Sequence, residues 1–245
     1  TGSFIASGFL LFVNLYKKMG KNMNIKYILF DLDGTLTDSR EGIVNSIEYM
    51  LGAYGISVKD RESLRPWLGP PLKESLMKYC GFEEKTALEG VGKYREYFDR
   101  QGIFENRVYP GIEEMLRCLK ERGYVLLVAT SKPETAAVRV LEHFGLAGYF
   151  DYIGGATLDD SRVKKSDVIR YVLEACGVKD VRQAVMVGDR EHDVFGAKEN
   201  GLEAIGVLYG YGSREELAMA GAGYIAETPK KLVQFLQDEE EMDKT

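Results

Sequence analysis

From Ile25 onward the chain alternates short apolar runs with stretches of helical period. Four runs, KYILFDL, YVLLVATS, AVMVGD and EAIGVLYG, are rich in Val, Ile, Leu and Tyr and lead into small or acidic residues. Continuous apolar runs of this kind predict strands of a parallel sheet covered on both faces. Between the second and third runs, KPETAAVRVLEHFG and KKSDVIRYVLEACG carry helical spacing and close on Gly145 and Gly177, residues suited to a helix C-terminus. HDVFGAKENG follows the third run. SREELAMAGA then opens after a glycine-rich turn, with Ser213 as N-cap and Glu216 as its capping-box partner. A weak strand, GYIAE, and a last helix from Pro229 to about Gln237, capped by Thr228, complete the pattern. This alternation predicts an α/β fold, a doubly wound, Rossmann-like parallel sheet.

One interval breaks the rhythm. About ninety residues pass between the first run and Tyr124 without a comparable strand, far more than one crossover needs. REGIVNSIEYMLGAYG, PPLKESLMKYCG and the stretch from Glu83 to Arg100 have helical spacing, with Gly55, Gly81 and Gly102 as stops. An all-α insertion over 40–107 is therefore predicted, with the core formed by 23–39 and 108–245. The helix PGIEEMLRCLKERG, framed by Pro110 and Gly123, returns the chain to that core. The apolar segment from Phe4 to Lys18 lacks a basic region before it and a cleavage site after it, and is shorter than the roughly 20 residues of a bilayer span. Residues 1–22 are read as an extension outside the fold, with a membrane-surface anchor as the alternative.

Composition narrows the chemistry. Of 245 residues, 45% are hydrophobic, and the formal net charge is −6. That balance argues for a folded chain and against a nucleic acid polymer as partner, since phosphate backbones are held by clustered Lys and Arg. Cys80, Cys118 and Cys176 lie far apart with no C-x-x-C spacing, so neither a disulfide framework nor a thiolate zinc site is indicated, and a reducing cytoplasm fits. Only two histidines, His143 and His192, are present. Any catalysis therefore falls to carboxylates.

Ligands of open α/β sheets bind beyond the carboxyl ends of the strands. Three predicted strands bring polar residues there: Asp31 and Asp33 after the first, Thr130 and Ser131 after the second, Asp189 and Asp193 after the third. Clustered carboxylates are hard oxygen ligands that suit Mg2+, which would relieve their mutual repulsion and draw in a phosphate. Asp31, Asp33, Asp189 and Asp193 are the candidate metal ligands. With its charge offset, a carboxylate can attack phosphorus, and Asp31 at the strand end is the candidate nucleophile. Asp33, two residues on, projects to the same side and is placed to protonate the leaving oxygen and then deprotonate water. The Gly34–Thr35 turn would let backbone N–H groups approach the phosphate.

DLDGTLTDS, then ATSKP, then a lysine in VKKSDVI, then VGDREHDVFGAKENG, resemble the four ordered motifs of the haloacid dehalogenase superfamily in its phosphatase branch. The resemblance implies Asp31 as the nucleophile that forms an aspartyl-phosphate and Asp33 as general acid/base. It further implies Thr130 and Ser131 on the phosphoryl group, Lys165 steadying the nucleophile, and Asp189 completing the magnesium site with Asp193 in support. Lys164 and Lys165 would point about 100 degrees apart on a helix, so one faces the site, and Lys165 is preferred. Glu191 reads as a first-turn acid favoured by the helix dipole, and His192 as a surface or orienting residue. The insertion resembles the helical cap of the phosphoglycolate phosphatase and beta-phosphoglucomutase group. WLGPPLKESL is similar to the cap loop of phosphoglycolate phosphatase-like and bacterial 5'-nucleotidase-like members. Arg65, Lys73 and Arg40 are candidates to meet a second anionic group. The implied activity is magnesium-dependent hydrolysis of a small phosphorylated metabolite, phosphoglycolate or a nucleoside monophosphate. Alternatives are a phosphotransferase or mutase acting on a sugar phosphate, and a receiver-like module phosphorylated on aspartate.

Overall fold

The computed structural model describes residues 24–159 and 161–242, so the reading of residues 1–22 lies outside it. In chain order the elements begin with β1 (Tyr27–Phe30) and β2 (Thr37–Asp38), followed by α1 (Arg40–Ala53), α2 (Leu72–Cys80) and α3 (Glu84–Tyr97). Then come β3 (Arg107–Val108), α4 (Ile112–Glu121), β4 (Val125–Pro133), α5 (Glu134–His143) and β5 (Tyr152–Ala156). The chain finishes with α6 (Lys165–Ala175), β6 (Ala184–Gly188), α7 (Glu191–Glu199), β7 (Glu203–Val207), α8 (Arg214–Ala220), β8 (Tyr224–Ala226) and α9 (Pro229–Met242).

Six strands form one sheet in the order β5-β4-β1-β6-β7-β8, and every pairing is parallel. Side chains of β1 alternate between two apolar layers. Ile28 and Phe30 pack with α4, α5 and α9, whereas Leu29 packs with α6, α7 and α8. Both faces are therefore covered, which is why the strands read as unbroken apolar runs. Register then builds the site. Phe30 lies opposite Val128 of β4 on one side and Val187 of β6 on the other, so β1 and β6 end nearly level while β4 runs on past them.

The inserted region carries a core of its own, drawn from Val44, Ile47, Met50, Leu51, Leu64, Trp67, Leu76 and Ala87. A 3-10 turn, Arg61–Trp67, precedes α2, and α3 ends in a π-type turn, Phe98–Gly102. At its stem β2 and β3 pair antiparallel, Thr37 with Val108 and Asp38 with Arg107, and the Arg107 guanidinium lies 2.7 Å from the Asp38 carboxylate. Neither this two-residue ladder nor the edge strand β5 stands out in the sequence. Strands of two residues have no periodicity to detect, and β5 reads YIGGA, in which two glycines dilute the apolar signal. The capping box at α8 is half formed. Ser213 Oγ accepts from the Glu216 N–H at 3.1 Å, but the Glu216 carboxylate turns away to accept from Arg190 Nε at 2.7 Å and Glu191 N at 3.0 Å.

Candidate active site

Asp31 is the first residue past β1, and its N–H donates to Val187 O at 2.9 Å, continuing the sheet by one bond. Lys165, the first residue of α6, is buried and reaches under it. Its Nζ lies 2.8 Å from an Asp31 oxygen and 2.9 Å from an Asp193 oxygen, and donates to Ala129 O at 3.1 Å. Lys164 is exposed, so the structure orients the two lysines differently. Asp189, past β6, is fully buried and accepts from Tyr211 N at 2.7 Å and Thr35 Oγ1 at 3.4 Å. Asp193, in the first turn of α7, accepts from Arg190 N at 3.1 Å.

Oxygens of Asp31, Asp189 and Asp193 lie within 4.8 Å of one another. Glycines make that closeness sterically possible. A Cβ at Gly34 or Gly210 would fall on the Asp189 side chain, one at Gly188 on Asp193, and one at Gly212 on the Asp189 carbonyl. Gly34 also has φ +87°, a left-handed conformation that side chains disfavour.

Electrostatics explain what such a cluster requires. Burial pushes the Asp31 carboxyl up to about 6; Lys165 opposes that rise and Asp193 adds to it. Asp189 is held well above the usual carboxylate range, first by burial and then by the charges of Asp193 and Asp31. One buried oxygen each on Asp31 and Asp193 faces the Lys165 charge without an aligned hydrogen bond. Three acids against one ammonium thus leave a buried negative excess with oxygen donors to spare, a donor set that fits Mg2+. Asp31, Asp189 and Asp193 would hold the ion, which when bound supplies positive charge to a phosphoryl group and to the acids themselves.

Two residues sit elsewhere than the sequence suggested. The Asp33 carboxylate is not in the three-acid cluster. It is paired with Lys132, whose Nζ lies 2.9 and 3.2 Å from its two oxygens, so the side chain is committed to an ammonium. Gly34 does not offer its amide to a ligand, because the N–H donates to Thr37 O at 2.7 Å within the turn, and Thr35 N donates to Leu32 O. The glycine instead makes room for Asp189.

Above the cluster opens a cavity of about 710 Å³. Asp31, Asp33, Thr130, Ser131 and Lys165 contribute to its lining, and the inserted region adds Trp67, Pro70, Tyr94 and Phe98. Thr130 is buried, with its hydroxyl accepting from Lys132 N at 3.2 Å. Arg65, Lys73 and Arg40 do not line this cavity. Arg65 donates to Tyr211 O at 3.4 Å, Lys73 pairs with Glu84 at 3.1 Å, and Arg40 lies over the Tyr211 ring. His192 stands exposed at the rim, and the Glu191 N–H is bonded to Glu216. Lys132, Arg190 and Tyr211 escaped sequence reasoning. Lys132 had the one usable signal, its place directly after Thr130-Ser131 at a strand end.

Residues 28–207 match the family model described as haloacid dehalogenase-like hydrolase. The chain belongs to this family. Haloacid dehalogenase-like hydrolases similar to it include a 5'-nucleotidase from Pseudomonas aeruginosa, 46% identical over 78% of this chain and 86% of that one. A tyrosine-protein kinase PtkA from Mycobacterium tuberculosis is 41% identical over 76% of this chain and 62% of its own. A solved structure titled as a predicted phosphatase from Clostridium acetobutylicum is 50% identical. It superposes with a TM-score of 0.84, covering 87% of this chain and 99% of that one. With this membership and this carboxylate cluster, the chain is a magnesium-dependent phosphomonoester hydrolase of the haloacid dehalogenase-like type. Among the described residues no helix is long and apolar enough to cross a membrane.

Proposed function

We propose that the chain hydrolyses a small phosphomonoester of the nucleoside monophosphate or phosphoglycolate class through an aspartyl-phosphate on Asp31. In the first half-reaction an Asp31 oxygen bonds to phosphorus as the ester P–O bond breaks, and the leaving oxygen takes a proton from Asp33. In the second, water gives a proton to Asp33 as its oxygen bonds to phosphorus, which frees inorganic phosphate and restores Asp31. Thr130, Ser131 and Lys165 hold the phosphoryl oxygens, and residues 40–107 act as a cap that excludes bulk water. The observation that carries this reading is the junction of Asp31, Thr130 and Lys165 on the lining of one cavity with Asp33 beside them. The aromatic wall of Trp67, Tyr94 and Phe98 favours a substrate with a flat base over a two-carbon acid. A panel of kcat/KM values for nucleoside monophosphates, phosphoglycolate and sugar phosphates with Mg2+ tests it. Nucleoside monophosphates are expected to lead phosphoglycolate by about tenfold or more, equivalent to about 1.4 kcal/mol. A higher value for phosphoglycolate would move the assignment to that class.

A second reading, phosphoryl transfer to an acceptor other than water, is favoured by the likeness to the tyrosine-protein kinase. Partition of labelled phosphate between water and a tyrosine peptide distinguishes the two.

A further inference from the structure

Lys132 has a setting that a surface lysine does not. It lies near the end of β4, where pairing with β5 runs regularly to Ala129–Gly154, slips, and resumes at Pro133–Ala156. Four steps on one strand are thus set against two on the other. A bulge of this kind re-aims side chains. Here it delivers Thr130 and Lys132 to the cavity lining, while the Lys132 N–H closes onto the Thr130 hydroxyl at 3.2 Å. The Lys132 side chain is 4% exposed. A buried ammonium without compensation is costly, and two groups compensate this one. Both oxygens of Asp33 accept from it, at 2.9 and 3.2 Å, and the Phe98 ring presents its face with the centroid 4.6 Å away. Among the described residues no other side chain hydrogen-bonds the Asp33 carboxylate.

We propose that Lys132 is a positioning residue that fixes the Asp33 carboxylate, and that the paired aspartates of the D-x-D motif are each served by a separate lysine. Lys165 holds Asp31 from the α6 side, and Lys132 holds Asp33 from the β4 side. Two contacts on one carboxylate set its rotation as well as its position, which a single bond does not do. Phe98, from the turn that ends the insertion, completes the seat of the ammonium. This inference rests on Asp33 being the proton-transfer group.

The test uses the full chain with Mg2+ and adenosine 5'-monophosphate, an alkyl phosphomonoester whose leaving oxygen must be protonated, comparing wild type, Asp33→Asn, Lys132→Met, Lys132→Arg and the Asp33→Asn/Lys132→Met double variant. Lys132→Met is expected to lower kcat about 10²-fold, the lower end of what proton transfer contributes, with KM changed less than about threefold. Lys132→Arg, which keeps the charge, should recover at least about tenfold of that loss. In the Asp33→Asn background the lysine substitution should change kcat by less than about threefold, because two residues acting as one unit are not additive. The double variant leaves no unpaired buried charge, so its folding is the control for the single ones. A Lys132→Met deficit of the same size in the Asp33→Asn background, or one confined to KM, overturns the positioning role and points to direct contact with substrate. Wild-type turnover in Asp33→Asn alone would instead remove the proton-transfer reading itself.

Discussion

The Lys165 ammonium stands 2.8 Å from Asp31 and 2.9 Å from Asp193, so one cation from α6 links the ends of β1 and α7. Removing it leaves two acids buried together without an opposite charge. Lys165→Met is therefore expected to lower kcat/KM by about 10²- to 10³-fold, the scale of losing one oriented charge in a dry site. It should also lower the unfolding midpoint in the absence of Mg2+, where among the described residues no other cation pairs with Asp31 or Asp193. Steady-state kinetics and a thermal melt in EDTA check the two effects. Asp31→Asn should lose turnover by about 10³-fold or more while remaining folded, since the amide is no nucleophile.

Mg2+ should stabilise as well as activate. A ligand that binds only the folded state stabilises by RT ln(1 + [L]/Kd), about 2.7 kcal/mol at one hundred times Kd. A rise in the melting midpoint with Mg2+ is expected for the wild type and is expected to shrink in Asp189→Asn, which replaces one of three carboxylates with a neutral amide. Chelation should abolish phosphate release, and Mg2+ should restore it.

Gly34 faces two penalties on gaining a methyl group. The Cβ would meet the Asp189 carboxylate, and φ is +87°. Gly34→Ala should cost about 1–3 kcal/mol of stability from backbone strain alone and depress activity through Asp189. Urea denaturation followed by circular dichroism measures the first effect.

Arg190 reaches from the core to the inserted region. Its Nε donates to Glu216 at 2.7 Å and its Nη1 to the Leu68 carbonyl, next to Gly69 on the cavity wall. Loss of a charge-assisted bond at this seam should loosen the wall near Trp67. Arg190→Met is expected to lower kcat/KM by roughly 10- to 100-fold, the scale of the 1.5–3 kcal/mol attributed to hydrogen bonds from charged groups. Glu216→Gln, which weakens the orientation of the arginine, should give a smaller loss in the same direction.

Away from the site, Asp151 offers a pH test. Burial raises its pKa, but hydrogen bonds from Lys120 and the Leu126 N–H outweigh that and hold it below the usual carboxylate value. A depressed folded pKa gives stability that is present above the unfolded pKa and lost as pH falls through the folded one. Between about pH 5 and pH 2 the wild type should lose stability more steeply than Asp151→Asn, as chemical denaturation at successive pH values would record.

Much of this was legible in the chain. Phe30, Val128 and Val187 belong to unbroken apolar runs, and their parallel register is what brings Asp31, Thr130 and Asp189 together. What stayed hidden depends on contacts between distant segments. Lys132 follows Thr130 and Ser131 in a polar stretch, and only the bulge after Ala129 and the placement of Phe98 turn it inward. Gly34 looked like a phosphate-binding turn because its neighbour across the cluster, Asp189, lies more than one hundred and fifty residues away in sequence.

The short β2–β3 ladder has one more consequence. Antiparallel neighbours stand about 4.8 Å apart, so the polypeptide enters the inserted region and leaves it at nearly the same point. A segment with adjacent ends and its own apolar core can be grafted. Exchanging the stretch between Asp38 and Arg107 for that of a relative, with an aromatic ring kept at the place of Phe98, would re-shape the chamber wall while Asp31, Lys165 and Asp189 remain in the core. Substrate choice could then be transplanted as a cassette, while the phosphoryl chemistry stays where the strands end.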